Sequence, residues 1–263
     1  MQWDPYIKHG YRAQLNSFRR CFWSLFHLHN ESVNTWSHIL PGVYFLVILL
    51  AIDYWIAPLP FEVPLSDILA VQTYVAGTAG CLVFSATFHA TNAHSPEVAR
   101  AFLKLDYFGI VLTISTTCIS VAYFALHGSP LYQSIYILFT LFCAAMVFSV
   151  LLDAGMDGAR AGPWRATVFI LLAASGFAPI FRVVFWAGEE PCGWSRIPGE
   201  SLIVTCSSYA LGTIVYITRF PEAYWPSRFD LVGASHQIFH VLVAFGQIVH
   251  LFGLREMLRR IHS

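Results

Sequence analysis

Seven mostly apolar runs divide the chain, near Ile39–Ala57, Ile68–Phe88, Phe108–His127, Ser134–Leu152, Thr167–Trp186, Leu202–Thr218 and Ser235–Leu254. Each has close to the 18 or so residues that an α-helix needs to cross about 30 Å of hydrocarbon. Between the runs the pattern breaks at helix-ending residues: Pro58, Pro60 and Pro64, Ser129 with Pro130, Gly155 to Pro163, Pro191 to Pro198, and Pro221 to Pro226. None of these connections could house a second domain. The predicted architecture is therefore an all-α integral membrane protein, one seven-helix domain over residues 1–263, with residues 1–38 ahead of the first span. Within that leading segment, Phe22 to Leu28 pattern as a short amphipathic helix lying in the membrane interface.

Composition supports the membrane reading. Hydrophobic residues make up 57% of the chain and charged residues 11%, against about 25% charged in a typical soluble domain. The 16% aromatic content suits a protein with many interface anchors. Zero net charge and the lack of a basic arm exclude nucleic acid as a partner. Of the six cysteines, four lie in apolar runs and none forms a CxxC pair, which leaves no ribbon-type metal site or redox motif. The residues before the first run carry Trp3, Asp4, Lys8 and Arg12 rather than an apolar signal core, so the first span is expected to direct insertion.

Charge sets the expected orientation. Lys8, Arg12, Arg19 and Arg20 precede the first span, Arg100 and Lys104 the third, Arg160 and Arg165 the fifth, Arg219 and Arg228 the seventh. The alternate connections carry Arg196 alone among basic residues, beside Glu62, Asp67, Glu189, Glu190 and Glu200. The positive-inside rule places the N-terminus in the cytosol and, after seven crossings, the C-terminus outside. Arg255, Arg259 and Arg260 oppose this count, but they come late in the chain.

Ionisable residues near spans are costly unless paired, liganded or hydrated, and here they gather at one end. Glu31, Asn34 and His38 precede the first span, Ser85 and His89 end the second, Asp106 opens the third, and His236 and His240 open the seventh. His236 and His240 are spaced i, i+4, which projects both imidazoles from one helix face. Alone, that spacing better suits two interface histidines hydrogen-bonded to carbonyls. With Ser85 and His89 repeating it and Asp106 close by, a metal site becomes the better reading. Three histidines with an open fourth position are a catalytic zinc arrangement. Elsewhere, His250 reads as interhelical packing, His94 and His127 as solvated, and Asp53 and Arg182 as side chains snorkelling to an interface. Gly77 and Gly80 read as marks of close helix packing.

The stretches HNESVNTWSHILPG (29–42), SATFHATNAHSPEVARAFLKLDYFGI (85–110) and FPEAYWPSRFDLVGASHQIFHVLVAFGQIVH (220–250) resemble the progestin and adipoQ receptor family, particularly its adiponectin-receptor branch and related fungal proteins. The resemblance spans nearly the whole chain. It implies zinc ligated by His89, His236 and His240, with Asp106 at the water beside the ion and Ser85 bordering the site. It also implies a membrane lipid as substrate or ligand, such as ceramide, another sphingolipid or a free fatty acid. The segment ahead of the first span is shorter than in animal adiponectin receptors, so nothing follows about their cytosolic partners.

Two functions stand out on this basis. One is a zinc-dependent lipid-amide hydrolase of the ceramidase type, in which Asp106 is general base and Ser85 hydrogen-bonds the water or the oxyanion. The other is a receptor or sensor in which the zinc is structural. A transporter is the third reading, against which stands the lack of an inverted repeat or a chain of ionisable groups through the mid-membrane. The expected location is multi-pass, in the plasma membrane or an endomembrane.

Overall fold

The helices outrun the apolar runs that announce them. The computed structural model describes residues 4–153, 161–185 and 197–262, and among these all regular structure is helical. A short α1 (Phe18–Ser24) precedes the first long helix, α2 (Ser32–Leu50), which passes into the one-turn α3 (Ile52–Ile56). Then come α4 (Leu65–Thr91), α5 (Pro96–Ala125) and α6 (Pro130–Leu151). The fifth crossing is broken into α7 (Gly162–Ala174) and α8 (Phe177–Phe185), and α9 (Gly199–Thr218) and α10 (Ser235–His262) complete the bundle. Seven of these segments, with α7 and α8 taken together, are long and apolar enough to cross a membrane. Trp186, Arg160, Arg196, Glu189 and Glu190, which entered the expectations above, lie outside the described residues.

Three boundaries differ from expectation for one reason. Hydropathy detects the part of a helix that faces lipid, whereas polar turns packed against each other stay helical beyond it. So α2 starts at Ser32 rather than Ile39, and α5 starts at Pro96 rather than Phe108. Asp106 thus lies in the third turn of α5 instead of opening the span. Likewise α10 carries on past Leu254 to His262. Local signals set the ends: Pro96 occupies the first turn of α5 and Ser95 accepts the Val98 N–H as its cap.

The interior is built by α4, α5 and α10. Close approach of α4 to α5 depends on glycine. A Cβ at Gly77 would sit 2.2 Å from Thr116 Oγ1, and one at Gly109 would sit 3.0 Å from the Cys81 Cα. Small residues at such crossings let backbones meet and gain dispersion contacts that lipid tails would otherwise supply. A sparse polar network ties α10 to both of these helices. The Tyr74 hydroxyl donates to the Gln247 carbonyl at 2.6 Å, the Gln247 amide to Thr113 Oγ1 at 3.2 Å, and Ser120 pairs with His250 at 3.0 Å. Each such bond contributes on average about 0.6 kcal/mol in a membrane protein, so packing carries most of the stability here. His250 therefore serves the interhelical role expected of it.

Three expectations need correction. Arg182 does not simply reach for the interface, since its guanidinium lies over the Tyr132 ring, 3.3 Å from the centroid. His127 is not merely solvated: it is about three-quarters buried, with Nε2 3.4 Å from Asp67 Oδ2. Asp67 itself, expected in an acidic connection, is fully buried in the first turn of α4.

Candidate metal centre

At the end of the bundle where α2 and α10 begin and α4 ends, three histidines converge. Potential ligand atoms of His89, His236 and His240 all lie within 4.8 Å of one another. The fold delivers them from two helices. His89 occupies the last turn of α4, and His236 and His240 share a face of the first two turns of α10. Both helix ends are held firmly. Arg12, reaching over from the N-terminal segment, donates to the carbonyls of His89 (2.6 Å) and Ala90 (2.8 Å) and to Asn92 Oδ1. These carbonyls have no partner within their own helix, and a cation there also suits the helix dipole. At the start of α10, the buried Glu222 accepts from the Ser235 N–H (2.7 Å) and from the Ser235 hydroxyl. Gln237 Oε1 meanwhile accepts the Gly233 N–H at 2.6 Å.

Hydrogen bonds behind the rings fix which nitrogen faces inward. His240 Nδ1 lies 3.1 Å from the Asn34 main-chain carbonyl. A carbonyl only accepts, so Nδ1 carries the proton and Nε2 the lone pair. His89 Nδ1 lies 2.8 Å from Glu31 Oε2, which also accepts from the Asn34 amide at 2.7 Å. Burial opposes ionisation of Glu31, but the hydrogen bonds from His89 and Asn34 outweigh it and hold the carboxyl down at about 2. The ionised carboxylate accepts a hydrogen bond from the His89 Nδ1–H, which leaves the Nε2 lone pair for the centre. Carboxylate–histidine pairs of this kind orient and strengthen metal-ligating imidazoles.

His89 Nε2 and His236 Nε2 stand 3.3 Å apart. Two nitrogen lone pairs at that distance need a proton or a cation between them. Tetrahedral zinc, with Zn–N distances of about 2.0–2.1 Å, spaces its ligands by about 3.3 Å. The donor set, its spacing and its tautomers thus fit a zinc ion.

Around the three rings the surroundings are dry but polar. His38 stacks flat on His240, with centroids 3.7 Å apart and planes within 4°, and both its ring nitrogens are buried without a hydrogen-bond partner. Ser85 lies one turn before His89 on α4, and Asp106 lies on the neighbouring α5 at the same end of the bundle. Both residues are buried. All five residues singled out from sequence therefore come to one end of the bundle. Glu31 and Asn34 were seen to belong to this layer, but their parts as partners of His89 and His240 were not read. Their spacing at the head of a helix, Glu-x-x-Asn, was the available signal. An apolar groove of about 360 Å³ between α1, α2 and α4, lined by Phe22, Leu25, Val43, Val83 and Thr87, reaches His38.

Residues 26–251 match the protein family described as haemolysin-III related. Over 98% of its length the chain is 32% identical to ADIPOR-like receptor IZH2 of Saccharomyces cerevisiae, covering 81% of that protein. It is also 32% identical to the adiponectin receptor protein of Drosophila melanogaster, over 98% of this chain and 57% of that one. Heptahelical transmembrane protein 3 of Arabidopsis thaliana is 26% identical over 94% of this chain and 81% of its own length.

Proposed function

Because the chain belongs to the haemolysin-III-related family of adiponectin-receptor-like seven-helix membrane proteins, we propose that it is a zinc-dependent hydrolase of lipid amides, of the ceramide type. The convergence of three imidazoles, two with Nδ1 already engaged, is the observation that carries this reading. His89, His236 and His240 would hold the ion through Nε2. When bound, zinc supplies a Lewis acid that polarises a carbonyl and makes water a stronger acid.

The remaining chemistry belongs to the chain. Asp106 takes a proton from the attacking water on its carboxylate and returns it to the departing amide nitrogen, so that amide plus water becomes fatty acid plus amine. Ser85 orients that carboxylate. His38 and the apolar walls around it exclude bulk water, and the groove ending at His38 accepts an acyl chain directly from the bilayer. The distribution of basic residues along the chain supports a cytosolic position for this end of the bundle.

A receptor with structural zinc is the second reading, favoured by the names of the yeast and fly relatives. Release of fatty acid from ceramide by the purified protein separates the two, with bound zinc measured in every sample. Hydrolysis predicts release by wild type, none by Asp106→Asn with its zinc retained, and loss of both zinc and release in His240→Ala. Full activity in Asp106→Asn would refute its role as base. Zinc-loaded wild type that releases nothing would favour the receptor.

A further inference from the structure

The far end of the bundle carries a second constellation. Asp67 begins α4, His127 follows α5, and His262 closes α10. One potential ligand atom from each lies within 4.8 Å of the other two. Asp67 Oδ2 is 2.7 Å from His262 Nε2 and 3.4 Å from His127 Nε2. Its other oxygen accepts the Tyr123 hydroxyl at 2.7 Å and the Ser66 hydroxyl at 3.3 Å. Twenty-two residues of α10 separate His240 from His262, about 33 Å of helix rise, so the two clusters stand a membrane's thickness apart.

We propose that Asp67, His127 and His262 form a second metal site, selective for zinc-class divalent ions. Two imidazoles and one carboxylate are a borderline-soft donor set, suited to zinc rather than to magnesium or calcium. The separations seen bracket the 3.3 Å or so between ligands of tetrahedral zinc, so only small ring movements are required. Tyr123 plays the outer partner, leaving Oδ2 directed at the ion. The carboxylate is fully buried while His127 and His262 are 26% and 19% exposed, which leaves a face open to water as the fourth ligand. An ion here would clasp the start of α4, the end of α5 and the end of α10, the three helices of the interior. Nothing in this site depends on the hydrolase reading.

Zinc titration of chelator-stripped, tag-free protein in nanodiscs tests the proposal. His236→Ala/His240→Ala removes the other histidines and is expected to keep one equivalent of zinc. Adding His127→Ala/His262→Ala removes that equivalent. Tyr123→Phe, a mild change, weakens it by about 10–100-fold, and millimolar magnesium does not compete. Should His236→Ala/His240→Ala fail to fold, the same quantity is read as one equivalent lost from wild type by His127→Ala/His262→Ala. The proposal is overturned by unchanged zinc in that last comparison, by a folded His236→Ala/His240→Ala that binds none, or by displacement with magnesium. In the first two cases Asp67 is a histidine-paired helix anchor and nothing more, whereas displacement by magnesium would make the cluster an unselective cation site.

Discussion

Helices α4 and α9 are equally apolar over their most hydrophobic stretch, yet half of that stretch is buried in α4 and only 17% in α9. The same contrast divides the whole bundle. α5 and α10 are buried over 61% and 50%, while the still more apolar α6 is buried over 11%. Hydropathy therefore reports whether a helix can enter lipid and says nothing of what it will face there. Small residues and polar atoms with assigned partners mark the interior: Gly77 and Thr78 on α4, Gly109 and Ser120 on α5, Gln247 and His250 on α10. The candidate metal centre draws all three of its histidines from this inner set.

Substitutions on the two sides of this divide can sharpen or break it. The largest effect is expected for His240→Ala, which should weaken zinc binding by more than the roughly 100-fold that loss of an outer partner can cost. Metal content after dialysis against a zinc buffer measures this. Next comes Gly77→Val, whose Cβ alone collides with Thr116. Overpacking should remove about 3 kcal/mol, read as a lower melting temperature in detergent. Glu31→Gln keeps the shape but weakens the acceptor for His89 Nδ1, and zinc affinity should fall about 10–100-fold with little change in melting. Smallest is Leu138→Ala on α6, where the side chain is 65% exposed. A change within about 0.5 kcal/mol is expected, and a loss as large as that of Gly77→Val would show that α6 packs against a partner in the membrane.

A pH dependence belongs to the segment ahead of α2. His29 is buried beside Arg12, and burial first, then that positive charge, push its pKa down to about 4 from 6.5. The unfolded chain gains this proton as pH falls through 6.5 while the folded chain resists it until about 4. The stability that neutral His29 contributes is thus intact above pH 6.5 and lost progressively between 6.5 and 4. Melting of His29→Gln should be flatter than wild type over that window.

Much of this was legible in one dimension. Seven apolar runs gave the crossings, and the gathering of His89, His236, His240, Ser85 and Asp106 at one end required only alternation of helix direction. Boundaries were legible only where polarity and helix end coincide, as at Ser235. They failed at Ser32 and Pro96, where polar turns remain helical by packing against one another. The far cluster was invisible for the same reason. His262 lies beyond the last apolar run, Asp67 just before the second and His127 at the very end of the third, so nothing local joins them. Likewise no spacing reveals that Glu31, rather than water, receives the His89 proton.

The N-terminal strap has a consequence for how the molecule is made. Lys8 and His9 donate main-chain N–H groups to Asp230, Asp4 pairs with Arg219, and Arg12 grips the end of α4. The bond from Lys8 to Asp230 spans 222 positions. At about 5–20 residues per second of synthesis, the strap waits roughly 10–45 s for its counterpart to leave the ribosome. Until then Arg12 can seat on α4, but Asp230 does not yet exist and His89 has neither histidine of α10 beside it. A nascent chain stalled before the last helix would therefore hold a half-built histidine cluster under a loose strap, so the three imidazoles come together only on the arrival of the seventh crossing.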